Sequence, residues 1–268
     1  MRIIKPLTAA VALAVASSQA VAQAALEEVI VTAQKRTESL QDVPVAVVAV
    51  SGEKIAEAGI QGLTDLADYI PNVSISFSAG DTPARNVLRG VGSRTNAGFE
   101  QSVGMLHDGV YQGRARQNLV PFPDVGTVEV LKGPQGTLYG KNTVAGAISV
   151  SSARPTDELE GRLSAQYEIE YGSTEYTGFV SGPLSDSVRG RLSGKYREAE
   201  GYVDNIIRNE DEPAAETSAL RGSLVWDASD TVEVFTKLEY AENEVTGGVF
   251  QITDTSGLLV APFGTVVH

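Results

Sequence analysis

A glycine-rich segment is the first place in the chain where residue types and spacing could support chemistry. Residues 133–142 read "GPQGTLYGKN", a composition also found in phosphate-binding loops. The phosphate-binding motif is G-x-x-x-x-G-K-[ST], in which the Ser or Thr holds Mg²⁺. Here only three residues separate Gly136 from Gly140, and Asn142 follows the lysine. The segment therefore predicts turns, with the turn positions at Gly133, Gly136, Gly140 and Gly146.

The second such place is "HDG", residues 107–109, whose histidine and aspartate could do acid–base chemistry. No third group completes a catalytic arrangement around them, so a turn at Asp108 is the favoured interpretation. The other histidine, His268, is too distant in sequence for the usual spacing of metal ligands, and the chain has no cysteine. We therefore expect no catalytic residue, no metal site, no cofactor and no enzymatic activity.

Composition narrows the classes of partner. The formal net charge of −13 argues against a nucleic acid. After residue 24 no apolar run reaches the roughly 18 residues that a transmembrane helix needs. If the chain enters a membrane, it must therefore do so with β-strands, whose sequence signal is much weaker.

The N-terminus has the three parts of a secretory signal peptide. Arg2 and Lys5 supply a positive start, and "LTAAVALAVA" (residues 7–16) is an apolar run too short to span a bilayer. Two overlapping Ala-x-Ala sites follow, the second ending at Ala24. We expect cleavage after Ala24 and export of the remaining chain.

Residues 38–155 have the pattern of a mixed α+β domain. "VPVAVVAV" (residues 43–50) predicts a buried strand, and Ser51 can cap a helix that runs through Ala58. A second helix, with its apolar face starting at Leu63, should end before Pro71. Further short strands are predicted at Val87–Leu88, Val103–Leu106, Val125–Leu131 and Ala147–Val150. The segments between them are long and polar, which suggests contact with a ligand or partner.

Beyond residue 158 the chain alternates between apolar and polar residues. In "GRLSAQYEIEY" (residues 161–171) the odd positions from Leu163 to Tyr171 are apolar, which is the pattern of a strand with two unlike faces. Four more segments, near residues 176–184, 188–197, 220–226 and 232–240, repeat it. In the third strand the polar face consists of Ser187, Arg189, Arg191, Ser193, Lys195 and Arg197.

The alternation leaves two architectures open. A barrel in lipid and a secreted, soluble β-sandwich binding protein both have one apolar strand face. Long strands, aromatic residues at strand ends such as Trp226 and Tyr240, and short turns opposite one long acidic loop favour the barrel. A sandwich would be soluble without detergent.

Four stretches resemble one family. They are "EEVIVTAQKR" (residues 27–36), "LQDVPVAVVAVSGEKIAEAGIQGLTDLADYIPNVSI" (40–75), "VLRGVGS" (87–93) and "VEVLKGPQGTLYGKNTVAGAISV" (128–150). Together they are similar to the N-terminal part of a TonB-dependent outer-membrane receptor. The resemblance implies an α+β plug domain followed by the first antiparallel strands of an incomplete transmembrane β-barrel. It divides the chain into a signal peptide (1–24), a TonB box and flexible linker (25–37), a plug domain (38–155) and a partial barrel of about five strands (156–268).

The resemblance also implies a partner, the TonB energy-coupling protein of the periplasm. The TonB box would comprise Glu28, Val29, Ile30, Val31, Thr32 and Ala33. Its β-branched residues favour extended backbone, so the segment can add as a strand to a sheet edge of that protein. The alternative is that these residues form an edge strand of the plug's own sheet.

Ligand contacts would come from outward-facing plug loops. The candidates are Asp81, Arg85, Arg94, Arg114 and Arg116, which suit an anionic or metal-chelating ligand. The family most often carries ferric siderophores, and also vitamin B12, haem and oligosaccharides. Candidates for contact between plug and barrel are Arg89, Lys132, Glu168, Glu170, Arg189 and Arg191. The alternative for many of these charges is simple solvation.

The resemblance places the protein in the outer membrane of a Gram-negative bacterium after Sec-type export, in contact with outer-membrane lipid. A plugged transporter barrel has about 22 strands, whereas five are predicted here. We therefore expect the chain to be a fragment that cannot transport by itself. A nucleotide-dependent enzyme built on Lys141 is a further alternative.

Overall fold

The computed structural model describes residues 30–31, 38–39, 43, 45–60, 62–78, 82–92, 100–113, 123–169, 172–205 and 210–247. The expected signal peptide lies outside these residues. Among the described residues, no helix combines the length and hydropathy needed to cross a bilayer. In chain order, the elements are β1 (Ile30–Val31), β2 (Glu38–Ser39), β3 (Ala46–Ser51), α1 (Gly52–Glu57), α2 (Leu63–Tyr69), β4 (Val73–Ser78), β5 (Thr82–Leu88), β6 (Val91–Gly92), β7 (Val103–His107), β8 (Val110–Gln112), β9 (Val125–Lys132), α3 (Gly136–Tyr139), β10 (Gly146–Ser152), β11 (Glu160–Tyr167), β12 (Thr174–Ser185), β13 (Val188–Ala199), β14 (Val203–Asn205), β15 (Glu210–Glu212), β16 (Ala214–Ser229) and β17 (Val232–Thr246).

A five-stranded sheet, here called the mixed sheet, organises the first part of the chain. Its strand order is β3-β9-β10-β7-β8. β7 and β10 are parallel, and the other neighbours are antiparallel. The parallel pair aligns Val103 with Gly146, so that the C-terminal ends of both strands, His107 and Ser152, come to the same edge.

Both predicted helices are confirmed. The side chain of Ser51 accepts a hydrogen bond from the Lys54 backbone N–H at 3.3 Å, which satisfies a donor of the first turn of α1. α2 ends at Tyr69, before Pro71, and buries Leu63, Leu66 and Ala67.

The hydrophobic core lies where α2 packs on the mixed sheet. Leu63 and Leu66 of the helix belong to the same buried cluster as Val128, Val130 and Ile148 of the central strands. Each such side chain contributes about 1.5–3 kcal/mol relative to an exposed position. The core therefore holds β9 and β10 rigidly, together with the residues at their ends.

A second five-stranded sheet, here called the long sheet, follows with the order β11-β12-β13-β16-β17. All its neighbours are antiparallel, and β16 and β17 are 16 and 15 residues long. The five predicted alternating strands are thus confirmed, and most extend beyond their predicted ends. The sheet is open, with β11 and β17 at its edges.

The two faces of the long sheet differ as the alternation predicted. One face exposes large apolar side chains: Leu163, Val180, Leu192, Leu220, Leu224 and Leu238. The opposite face buries polar ones: Ser181, Arg191, Ser193, Lys195, Arg221 and Ser223. A β-sandwich would bury the apolar face against a second sheet, so that alternative does not fit the described residues.

Several elements differ from the predictions. β4, β5 and β6 form a three-stranded sheet where only Val87–Leu88 was predicted, because Ser, Arg and Asn dilute the apolar signal of these strands. Gly133, Gly140 and Gly146 have positive φ values, whereas Gly136 starts the short helix α3 and its predicted turn role is wrong. The long acidic loop contains the hairpin β14–β15.

Candidate functional site

Among the described residues, the best candidate for a functional site is a cluster of charged side chains where the mixed sheet meets the polar face of the long sheet. Two carboxylates come from the mixed sheet: Asp108 in the turn after β7, and Asp124 directly before β9. Three bases come from three adjacent strands of the long sheet: Arg191 on β13, Arg221 on β16 and Lys237 on β17. The site is therefore a polar contact between the two five-stranded sheets.

Asp124 is bound through both its side chain and its backbone. Arg191 donates from Nε to Oδ2 at 2.6 Å and from Nη2 to Oδ1 at 2.9 Å, which is the forked geometry that makes Arg–carboxylate pairs strong. The backbone oxygen of Asp124 accepts from Arg221 Nη1 at 2.6 Å and from the Ala153 N–H at 3.2 Å. One residue thus connects β9, the end of β10 and two strands of the long sheet.

The two arginines are held by further contacts within the long sheet. Arg191 donates to Glu160 at 3.0 Å and lies 3.8 Å from the centre of the Phe179 ring, a cation–π contact. Arg221 is 1% exposed and donates from Nε to Glu239 at 2.8 Å. Because these buried charges are paired, their mutual attraction offsets the desolvation penalty, which would be uncompensated for an unpaired buried charge.

Asp108 forms a second, simpler contact. Its carboxylate accepts from the Ser152 backbone N–H and from the Ser152 hydroxyl, both at 2.7 Å, and also from Lys237 Nζ. Burial alone would raise the pKa of Asp108, but the hydrogen bonds from Lys237 and Ser152 outweigh it and lower that pKa below its usual value. The carboxylate is therefore ionised at neutral pH, as the ion pair with Lys237 requires.

His107 lies beside this contact. Its Nε2 is 3.5 Å from Oδ2 of Asp108. Burial lowers the pKa of His107, and the attraction of Asp108 for the imidazolium offsets this only in part. The imidazole is therefore neutral at pH 7. The predicted turn is confirmed, because Asp108 and Gly109 have φ values of 48° and 77°.

The residues proposed for contact between plug and barrel have different surroundings. Arg191 contacts Asp124, as described above. Arg189 forms ion pairs near the turns of the long sheet, with Asp157, Asp227 and Glu233. Glu168 follows β11, and its backbone N–H bonds to Ser173. Glu170 lies outside the described residues.

Lys132, the last residue of β9, and Arg89, directly after β5, lie near each other. Lys132 Nζ donates to the Pro71 backbone oxygen at 2.8 Å, and the Arg89 backbone N–H bonds to Asn72 at 2.9 Å. Burial lowers the pKa of Lys132, and the nearby charge of Arg89 adds to the effect. The two cations are therefore close enough to interact.

The candidate ligand residues are described only in part. Arg85 belongs to β5, while Asp81, Arg94, Arg114 and Arg116 lie outside the described residues. Two residues near these candidates contact one turn. Asn142 donates to the hydroxyl of Tyr111, which precedes Arg114, at 2.8 Å, and Lys141 pairs with Glu100, which follows Arg94.

The segment proposed as the TonB box is described at two residues. Ile30 and Val31 form β1, which pairs antiparallel with β2: Ile30 is opposite Ser39 and Val31 opposite Glu38. This two-stranded sheet is separate from the mixed sheet. Glu28, Val29, Thr32 and Ala33 lie outside the described residues.

Sequence reasoning did not select Asp124, Arg221 or Lys237. The two bases had a usable signal, because each lies on the polar face of an alternating strand, as Arg191 does. Asp124 had none, since it is 67 residues from Arg191 and precedes an ordinary strand.

Comparison with known proteins finds a family model that matches the first part of the chain, and several relatives. The family model described as "TonB-dependent Receptor Plug Domain" matches residues 39–147. The ferripyoverdine receptor of Pseudomonas aeruginosa is 25% identical over 239 residues, which cover 85% of this chain and 27% of the receptor. The vitamin B12 transporter of Vibrio vulnificus is 29% identical over 187 residues, covering 66% of this chain and 28% of the transporter. This chain thus spans less than a third of the length of either relative.

Solved structures show the same fold. The ferric yersiniabactin uptake receptor of Yersinia pestis superposes with a TM-score of 0.65 at 25% identity, over 74% of this chain and 32% of that one. The ferripyoverdine receptor of P. aeruginosa, bound to ferripyoverdine, gives a TM-score of 0.67 at 20% identity, over 82% of this chain and 28% of that one.

Proposed function

Residues 39–147 are a TonB-dependent receptor plug domain, and from this premise we propose that the chain serves energy-coupled uptake of a scarce ligand across the outer membrane. The observation that carries the proposal is the docking of the plug domain on the polar face of the long sheet through Asp108 and Asp124. The opposite face of that sheet exposes a continuous set of apolar side chains, as a wall facing lipid requires.

The proposal divides the chain as the sequence predicted. Residues 1–24 are a signal peptide for Sec-type export, 25–37 the TonB box and linker, 38–155 the plug, and 156–268 the first barrel strands. A plugged transporter barrel has about 22 strands, whereas the long sheet has five. We therefore assign transport to a receptor that contains this chain together with further strands, in the outer membrane of a Gram-negative bacterium.

The proposed ligand is a ferric siderophore. Relatives of this chain include receptors for ferripyoverdine and ferric yersiniabactin, which supports an iron chelate, and a vitamin B12 transporter, which supports the wider class of scarce metal chelates. Arg85, Arg94, Arg114 and Arg116 would attract an anionic chelate, and Asp81 would accept hydrogen bonds from it.

The proposed partner of residues 28–33 is the TonB coupling protein. An extended segment adds to a sheet edge through main-chain hydrogen bonds. Among the described residues, β1 pairs with β2 through two residue pairs, and replacing these pairs with a strand of the partner would break few of the described hydrogen bonds. Force applied to this segment would reach the plug through residues 34–45.

Replacement of Ile30 by proline tests the coupling role. Proline removes a backbone donor and disfavours the added strand, so a receptor with Ile30→Pro should lose coupled uptake. Its abundance and its affinity for ligand should not change. Ile30→Val is the matched control, because it keeps both the donor and the preference for extended backbone. Full uptake by the Ile30→Pro receptor would contradict the assignment.

Titration identifies the ligand class. Purified receptor is titrated with ferripyoverdine, a ferric catecholate and cyanocobalamin, with receptor-bound ligand measured by equilibrium dialysis as the readout. The proposal expects binding of an iron chelate that weakens when Arg94 and Arg116 are both replaced by glutamine. Binding of cyanocobalamin alone would contradict the siderophore assignment and leave the receptor function intact.

A further inference from the structure

The two carboxylate contacts between the plug and the long sheet differ in what remains when they break. Asp124 receives hydrogen bonds from Arg191 and Arg221, which lie on two adjacent strands. Among the described residues, the Asp124 carboxylate has hydrogen-bond donors only on Arg191. If this contact opened without water entering, the Asp124 carboxylate would lose both of these donors. Arg191 would keep Glu160 and the Phe179 ring but would lose the forked pair.

In the contact between Asp108 and Lys237, each side chain has another partner that it keeps if the contact breaks. When Lys237 moves away, the Asp108 carboxylate keeps the two hydrogen bonds from Ser152. Lys237 in turn keeps Glu239, whose Oε2 is 3.5 Å from its Nζ. Lys237 is also 21% exposed, while Arg191 is 6% exposed, so water reaches the ammonium more easily. Opening of this contact is therefore the less costly of the two.

The position of Asp124 in the chain strengthens the distinction. Its backbone oxygen also accepts the Ala153 N–H, directly after β10 ends at Ser152. The chain then passes to the long sheet, which begins at Glu160. The Asp124 contact therefore lies at the covalent junction between the plug and the wall, where a rigid-body movement displaces atoms least.

We propose that Asp124 is the anchor that holds the plug on the β13–β16 wall, and that the Asp108–Lys237 contact is the one that yields when the plug rearranges. The inference rests on the proposed function and adds a direction to it. The plug pivots about its C-terminal end, and the passage for ligand opens away from the wall formed by β13 and β16.

The absence of cysteine from the chain allows a clean test. Ser193 lies on β13 directly opposite Arg221, is 2% exposed, and its hydroxyl has no hydrogen-bond partner among the described residues. Ser193→Cys therefore places a thiol beneath the plug without removing a contact. Ser187→Cys, in the exposed turn before β13, is the control that reacts whether or not the plug is docked.

The thiol reactivity of the full chain in detergent micelles is measured with a maleimide. Asp124→Asn should accelerate labelling of Ser193→Cys by at least tenfold, whereas Asp108→Asn should change it less than twofold. Arg191→Lys keeps the charge but cannot form the two parallel hydrogen bonds to Asp124, so it should give an intermediate labelling rate. This second variant tests the same contact in case the Asp124→Asn chain misfolds. Equal rates in the two aspartate variants, or an unchanged rate in Asp124→Asn, would overturn the proposal.

The order of opening is measured in the chain without any aspartate substitution. In rising urea, the amine of Lys237 should become reactive toward an acylating reagent before Ser193→Cys becomes reactive toward maleimide. If the Lys237 amine and the Ser193→Cys thiol became reactive at the same urea concentration, or the thiol did so first, the proposed order would be wrong. Neither measurement uses the coupling protein or a ligand, so the result is independent of the uptake experiment with Ile30→Pro.

Discussion

Buried polar residues matter in this protein because of their partners. Arg221 is almost fully buried and still makes two hydrogen bonds, to Glu239 and to the Asp124 backbone. Such a contact is not strong evidence of net stability, since a buried ion pair offsets a large desolvation cost. We expect its main effect to be on specificity, because the two arginines bind one residue, Asp124, from two adjacent strands.

His107 should make stability depend on pH. Burial lowers the pKa of His107, so the unfolded chain binds the proton more readily than the folded chain does. The contribution of His107 to stability is therefore fully present above pH 6.5, the ordinary pKa of histidine. It is lost as the pH falls from 6.5 toward the lowered pKa of the folded state. In His107→Gln, the urea midpoint should lose this dependence between about pH 7.5 and 5.5.

Asp108 does not confound that measurement. The pKa of Asp108 is lowered from 3.8, so its contribution to stability is present above 3.8 and is lost only as the pH falls further. An unchanged slope between about pH 7.5 and 5.5 in His107→Gln would mean that other groups carry the dependence.

At the scale of elements, the mixed sheet depends on the close approach of its two central strands. Gly146 begins β10 at a φ of +147°, and a Cβ built there would lie 2.2 Å from the Leu131 backbone oxygen and 2.6 Å from Leu88 Cδ1. Glycine is therefore required at this position both for the backbone conformation and for space. The residues that β10 positions, Ser152 above all, depend on this start.

Gly146→Ala should destabilise the plug by about 2–4 kcal/mol, from backbone strain and overpacking together. The urea midpoint and the amide exchange of Ile148 report the loss. Gly136→Ala is the matched control in the same glycine-rich segment. Apart from its own helix and chain neighbours, no atom of the described residues lies within 4 Å of its built Cβ, and the residue starts a helix. It should be neutral or stabilising by up to about 1 kcal/mol. Equal effects of the two substitutions would refute the packing argument.

At the scale of the whole molecule, the long sheet has its polar face against the plug and its apolar face outward. Leu163 and Leu238 are 86% and 81% exposed on that outer face. Exposed apolar side chains of this kind are expected on a strand wall that faces lipid, which is the orientation that we propose for the long sheet.

Leu192→Lys tests this orientation. Leu192 lies in the middle of β13 on the apolar face, and a lysine at the bilayer midplane costs about 2–4 kcal/mol. The variant receptor in lipid vesicles should therefore unfold at a lower urea concentration than the parent. The folded fraction at each urea concentration is measured on gels of unheated samples, on which folded and unfolded forms migrate differently. Asp186→Lys, in the exposed turn before β13, should have little effect. A Leu192→Lys receptor as stable as the parent would place this face away from lipid.

The sequence by itself determined the elements and their faces, because these depend on local periodicity and propensity. Ser51 capped its helix, Pro71 followed the end of the next one, and the alternation from Leu163 onward specified which side chains share a face. The motifs around Arg89 and Lys132 also indicated the family, because a long run of matching residues identifies a family without reference to contacts.

The tertiary structure alone decided which charges meet. Asp124 lies 67 residues from Arg191 and 97 from Arg221, and hydrogen bonds over such separations leave no mark on local periodicity. Their geometry follows from the rigid placement of β9 by the core and from the register of β13 against β16. Electrostatic pairing is short-ranged and directional, so it is determined only once packing has fixed the backbone positions that bring the groups together.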